Sequence, residues 1–294
     1  MILIRYNPKK ILDNIMVIHK ELDNNYKYIE IKNEEAEAKI ALQGGHIFHY
    51  KATNKEPLLW LSETAIFKKG KAIRGGVPIC FPWFGPPVSD ASLPQHGFAR
   101  TALWELVEVK EESEKLTEVE LKLESNEEYM KIWAYKFDVR LKITIGKELK
   151  LALCITNTDT KSFTFTTALH SYFNVSDISK VLVRGLDGAE FEDSLTGENK
   201  VQKGDLTINE EVDRVYFNAS SSINVQDSRR SFTLVQKGSN SLVVWNPWVE
   251  KAKALADMPN EGYQTIICLE TGNVRKDERT LQPNEVHILE VAIS

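Results

Sequence analysis

From Tyr26 to its last residues the chain is cut into short apolar runs with a period of two, and this limits its fold more than any other feature. In KLTEVELKLES, Val119, Leu121 and Leu123 form one apolar side, with Glu120, Lys122 and Glu124 opposite. Successive side chains of a strand point to opposite faces, so this pattern marks antiparallel sheet with one covered face. YKYIEIKN, AEAKIALQ and HIFHYKA read the same way, with Gly44-Gly45 as a tight-turn pair before the third. ALWELVEVKEE follows, in a register that starts Leu103, Glu105, Val107, Val109. YKFDVRLKITIG and KELKLALCITNT flank a short Gly-containing link, which predicts a long hairpin. SFTFTTALHSYF, KVLVRG, RVYFNA, SINVQD, SFTLVQ, SLVVWN, GYQTIICLE and EVHILEVAI bring the total to roughly fifteen strands.

Helical signals are sparse. VEKAKALADM, Val249 to Met258, lies between Pro247 and Pro259 and predicts one short helix. Leu12 to Leu22 is mixed, a short helix or a loose arm. Strands do not alternate with helices, which excludes a Rossmann fold or a (β/α) barrel. No fixed-period repeat of the propeller type and no Ser/Gly/Pro linker is found. The expectation is an all-β sandwich with few short helices. Residues 26–294 would form a single domain and residues 1–25 an N-terminal arm or embellishment.

Composition narrows the function classes. A chain of 294 residues, 42% hydrophobic, is long enough to bury about three quarters of its extended surface. The 37 Lys and Arg against 42 Asp and Glu give a formal charge of -5, which excludes a globally basic nucleic-acid wrapper. The N-terminal apolar start is interrupted by Arg5, Lys9 and Lys10, so neither a signal peptide nor a membrane span is expected. Cys80, Cys154 and Cys268 are odd in number, sit in apolar surroundings and form no CxxC pair. They read as reduced, mostly buried thiols of a cytoplasmic protein.

Residues 70–101, GKAIRGGVPICFPWFGPPVSDASLPQHGFART, break the alternation with many Gly and Pro residues and carry Arg74, Gln95, His96 and Arg100. One reading is a structural loop capping an end of the sandwich. The other is an anion pocket, in which two arginines hold a phosphate dianion through charge-assisted bonds. Phe81, Trp83 and Phe84 serve either as core or as walls of a sugar site. GxxxxGK[ST] and GxGxxG are absent, which leaves nucleotide binding by either device unsupported.

Three more residues stand out as candidates. His170, in ALHSYFNVSDI, lies where an apolar strand turns polar and has an intrinsic pKa suited to proton exchange; a hydrogen-bonded structural histidine is the plainer reading. Glu270 ends the apolar run IICL, where burial would make it a stronger base; the plainer reading is an exposed strand-end carboxylate. Asp213, in EEVDRVYFNA, is either a loop charge or an acceptor for a sugar hydroxyl. His46 and His49 point to opposite faces if GHIFHY is a strand, and HExxH is absent, so no metal site is expected. GxSxG is absent as well, against an α/β-hydrolase. Paired-carboxylate glycosidase chemistry stays open, because distant carboxylates can meet in a fold.

Taken in order, AIRGGVPICFPWFGP, PQHGFAR, LHSYFNVSDI, VDRVYF, VVWNPW and CLETGN resemble the D-hexose-6-phosphate mutarotases, or glucose-6-phosphate 1-epimerases, of the aldose 1-epimerase-like group. The resemblance runs from about Tyr28 to Glu290. It implies a galactose-mutarotase-like β-supersandwich and an isomerase that interconverts the α and β anomers of glucose 6-phosphate and related hexose 6-phosphates. It implies His170 and Glu270 as the catalytic pair, and Arg74, Gln95, Arg100 and Asp213 as substrate contacts, with His96 assisting. No metal, redox cofactor, nucleic acid or membrane is implied, and a monomer or weak homodimer is expected. The rival readings are a mutarotase of free aldoses and a non-catalytic carbohydrate-binding module.

Overall fold

The computed structural model describes residues 16–22, 24–87, 90 and 92–294. Those residues form 23 strands, two short α-helices and three 3-10 turns. Two large antiparallel sheets face each other across one core. In the nine-stranded sheet, Leu116–Glu124, Phe137–Ile145, Leu149–Asn157 and Val286–Ile293 are neighbours, and the first of these also pairs with Glu105–Ser113 at the edge. The eight-stranded sheet runs in the order Glu198–Val201, Glu190–Asp193, Val212–Phe217, Ser241–Asn246, Ile266–Asn273, Thr167–Leu169, Ile79–Cys80, with Tyr172–Asn174 also on Ile266–Asn273. Val119, Leu121, Leu141 and Leu153 of the first sheet share a core with Leu242, Val244, Ile267 and Leu269 of the second. Each such side chain removed from water contributes about 1.5–3 kcal/mol. This is the all-β sandwich that the alternation predicts.

Details differ from the sequence reading for identifiable reasons. The register starting Leu103, Glu105, Val107, Val109 does not become a core face: Leu103 is 69% exposed and Val107 43%. Leu103 precedes the strand Glu105–Ser113, which among the described residues pairs with Leu116–Glu124 alone, at the sheet edge, and two irregularities near Leu106/Glu108 and Glu111/Ser113 interrupt its register. SFTFTTALHSYF becomes three short strands, Phe163–Phe165, Thr167–Leu169 and Tyr172–Asn174. The helix between the two prolines spans Trp248–Ala254, with Met258 beyond it. A further helix, Glu127–Ile132, is set by Asn126, whose side chain accepts the Tyr129 N–H at 2.9 Å. Within the segment read as helix or loose arm, Met16–Glu21 is a strand paired with Lys27–Lys32; Leu12 to Ile15 fall outside the described residues. Among the described residues no helix is long and apolar enough to cross a membrane.

A four-stranded sheet, Met16–Glu21, Lys27–Lys32, Ala36–Ala41 and His46–Ala52, supports the irregular loop. The loop is strapped down by backbone bonds: Gly76 N–H to Trp60 O at 2.7 Å, Val77 N–H to Ile47 O at 2.9 Å, and Phe98 N–H to Phe81 O at 3.1 Å. Gly97 occupies the crossing of its two arms with φ +70°, where an added Cβ would lie 2.1 Å from the Phe81 carbonyl oxygen. Gly97→Ala is therefore expected to destabilise the fold by about 2 kcal/mol or more. Denaturant titration checks this, and an unchanged midpoint would show that the crossing has slack.

Candidate active site

The site is built by register. In an antiparallel pair, directly opposed residues lie on the same face. Asp213 pairs with Trp245, Trp245 with Cys268, and Cys268 with Tyr172, which gives one row across four strands. In the next row Val215 pairs with Val243 and Val243 with Glu270. On the strand beyond, Leu169 pairs with Thr271 and Tyr172 with Cys268, so the same register sets His170 opposite Glu270. Alternate residues, among them Tyr216, Val244, Leu269 and Leu169, point the other way into the core. The period of two that builds the sandwich thus also puts an imidazole and a carboxylate side by side on the far face.

His170 Nε2 lies 3.4 Å from Glu270 Oε1. Both are buried, at 8% and 1% exposure, so neither is an ordinary surface group. Among the described residues, His170 Nδ1 and Glu270 Oε2 have no hydrogen-bond partner. Burial first, then the neighbouring His96 ring and the Arg100 and Arg74 guanidiniums, hold the His170 pKa well below the usual imidazole range. Burial, with Asp213, pushes Glu270 well above the usual carboxylate range, although Arg100 opposes this. Both shifts favour the uncharged forms, a neutral imidazole and a protonated carboxyl. Such a pair differs from an imidazolium-carboxylate pair only by the position of one proton.

Aromatic rings fix the imidazole. Tyr172 stacks on His170 at 4.8 Å and 5°, and Trp245 stands edge-on at 6.2 Å. Trp60 stacks behind Tyr172 at 6.0 Å. Arg74 is tied to this wall: its Nη1 donates to the Tyr172 hydroxyl at 3.1 Å and its Nε to Asp257 at 3.0 Å. Arg100 donates from Nη2 to the Gln95 carbonyl at 2.8 Å. Gln95 itself is exposed. His96 packs edge-on between Phe84, at 4.7 Å, and His170, at 5.7 Å. Its Nδ1 accepts the Gly85 N–H at 3.3 Å, and its backbone is left-handed with φ +64°. Burial, with Arg100 and Arg74, lowers the His96 pKa to about 3, so the ring is neutral and its proton sits on Nε2. Asp213 is half-buried on the same face, and burial raises its pKa.

The fold therefore gathers His170 and Glu270, brings the charges of Arg74, Arg100 and Asp213 to bear on them, and leaves Gln95 at the edge. Tyr172, Trp245 and Asp257 also line the site; the first two lie inside the motifs LHSYFNVSDI and VVWNPW without a role assigned there, and Asp257 lies in none of them. Tyr172 was within reach, because it lies two residues from His170 on the same strand face. His46 and His49 diverge: His46 Nε2 meets the Gly75 carbonyl at 2.8 Å, while His49 faces Glu37 at 3.4 Å.

Residues 27–294 match the family profile described as aldose 1-epimerase. The chain belongs to the aldose 1-epimerase family. A relative from Cenchrus ciliaris, named as a candidate glucose-6-phosphate 1-epimerase, is 40% identical over 271 residues, covering 87% of this chain and 80% of that protein. A relative from Escherichia coli K12 with the same designation is 36% identical and covers 88% and 87%. The crystal structure of a candidate mutarotase from Salmonella typhimurium superposes with a TM-score of 0.89 at 33% identity, over 97% of this chain and 94% of that one. This aldose 1-epimerase family member has the mutarotase-type all-β sandwich that the motif resemblance implies.

Proposed function

We propose that this protein interconverts the α and β anomers of D-glucose 6-phosphate and related hexose 6-phosphates, in the cytoplasm, with residues 26–294 as one catalytic domain. The close approach of His170 and Glu270, within the field of two guanidiniums, is the observation that supports this reading most directly. The relatives named as candidate glucose-6-phosphate 1-epimerases agree with it.

The chemistry needs one proton shared by the pair. One member accepts the proton of the C1 hydroxyl while the other delivers its proton to the ring oxygen. The bond between C1 and the ring oxygen breaks, and a C1 aldehyde forms. Rotation about C1–C2 presents the other face, and ring closure returns both protons with the two roles exchanged. His170 and Glu270 are equal to either role, because moving one proton between them across 3.4 Å exchanges acid for base. The neutral His96 donates its Nε2–H to a sugar oxygen, and Asp213 accepts a hydroxyl. Among the described residues Arg74 bonds through Nε and Nη1 and Arg100 through Nη2, and their remaining N–H groups would serve a phosphate dianion. A free aldose would leave those donors without a partner, which favours the phosphorylated substrate.

Exchange NMR of α- and β-glucose 6-phosphate, with and without the protein, tests the activity against the spontaneous rate. The pH profile tests the pair. The depressed His170 pKa keeps a second proton off until well into acid, and the raised Glu270 pKa keeps the last proton on above the usual carboxylate range. The rate is therefore expected to fall on both sides of a plateau, with the acid limb below the usual imidazole range and the alkaline limb above the usual carboxylate range. A single rise through about pH 6.5 would point instead to a lone histidine base.

A further inference from the structure

We propose that the same sheet face forms an inhibitory site for a thiophilic divalent cation such as zinc, with Cys268, Glu270 and His170 as its three protein ligands. The inhibition rests on the function proposed above; the binding does not.

Cys268 and Glu270 are two apart on one strand and share a face, and the register sets His170 on the adjacent strand opposite Glu270. One nitrogen, one sulfur and one carboxylate oxygen thereby lie within 4.8 Å of one another. Zinc bonds of about 2.0–2.3 Å in tetrahedral geometry separate ligand atoms by roughly 3.3–3.7 Å, so small χ rotations complete the set. Glu270 Oε2 is buried without a partner among the described residues and is a ready ligand atom. Three protein ligands leave a fourth position open, and His170 is the ligand that reaches the solvent side.

The charges also balance. A thiolate, a carboxylate and a neutral imidazole offset the two positive charges of the ion, which suits a buried setting. Two protons leave to solvent, one from the Cys268 thiol and one from the His170–Glu270 pair, and no electron is transferred. A bound ion occupies both groups that the anomer exchange needs. If Cys268 is only a small apolar filler beneath Tyr172 and Trp245, it takes no metal.

Cobalt(II), titrated under reducing conditions, reports thiolate ligation through its near-ultraviolet charge-transfer band. We expect one cobalt per chain with this band in the wild type. The band should be absent in Cys268→Ala, whose half-inhibiting zinc concentration should be at least tenfold higher at near-normal turnover. Should Cys268→Ala fold poorly, the isosteric Glu270→Gln, read by spectrum alone, should bind cobalt at least tenfold more weakly. No band in the wild type, or an undiminished band in Cys268→Ala, overturns the site. A cobalt band in a protein that exchanges no anomers would uphold the metal site and sink the proposed function.

Discussion

His170→Ala and Glu270→Ala are each expected to lower the rate of anomer exchange by about 10²–10⁴-fold, the range for loss of a placed proton-transfer group. The double variant should be little worse than the poorer single one, because the two act as a unit that passes one proton across the ring. Folding should survive both changes. Glu270 carries a buried oxygen without a partner, so its removal relieves a desolvated polar group and should leave stability equal or higher. Exchange NMR measures the rate, and thermal unfolding with near-ultraviolet circular dichroism measures the fold. Unchanged rates in both single variants would end the acid-base assignment.

The second large effect separates phosphorylated from free sugars. Arg74→Ala and Arg100→Ala each remove charge-assisted hydrogen bonds, worth about 1.5–3 kcal/mol. That is about 10- to 100-fold in kcat/KM for glucose 6-phosphate, with a much smaller change for glucose. Arg74→Ala should also lower the rate on glucose somewhat, because Arg74 holds the Tyr172 ring that stacks on His170. Arg100→Ala is the cleaner measure of the phosphate contribution. Equal loss on both sugars would remove the phosphate from the site and favour a mutarotase of free aldoses.

The sheets were legible because a strand with one covered face must alternate, as Val119, Leu121 and Leu123 do. Val107 stays exposed although it alternates, because an irregular edge strand can keep apolar residues in solvent, and Leu103 precedes that strand. SFTFTTALHSYF carries the pattern of one strand, because its breaks at Thr166 and His170 depend on partners elsewhere, Pro82 O and Pro78 O. Arg74, His96 and Arg100 drew notice through the loop's composition, and Glu270 through its place at the end of an apolar run. Asp257 carried no such signal: it follows a short helix and gains its meaning from Arg74, 183 positions away. Neither could the pairing of His170 with Glu270 be read from spacing, since it comes from the strand register alone.

That register has a consequence for how such a protein can change over time. Because Glu270 shares its strand with core residues, inserting or deleting one residue just before it would carry the carboxylate through the sheet into hydrocarbon and bring Leu269 or Thr271 out in its place. Side chains on this wall can be exchanged one by one, and the outer loops can lengthen, but the strand itself cannot tolerate a change of length. Descendants of this chain should therefore differ in their loops and in the identity of individual residues, while the count along Ile266–Asn273 stays fixed.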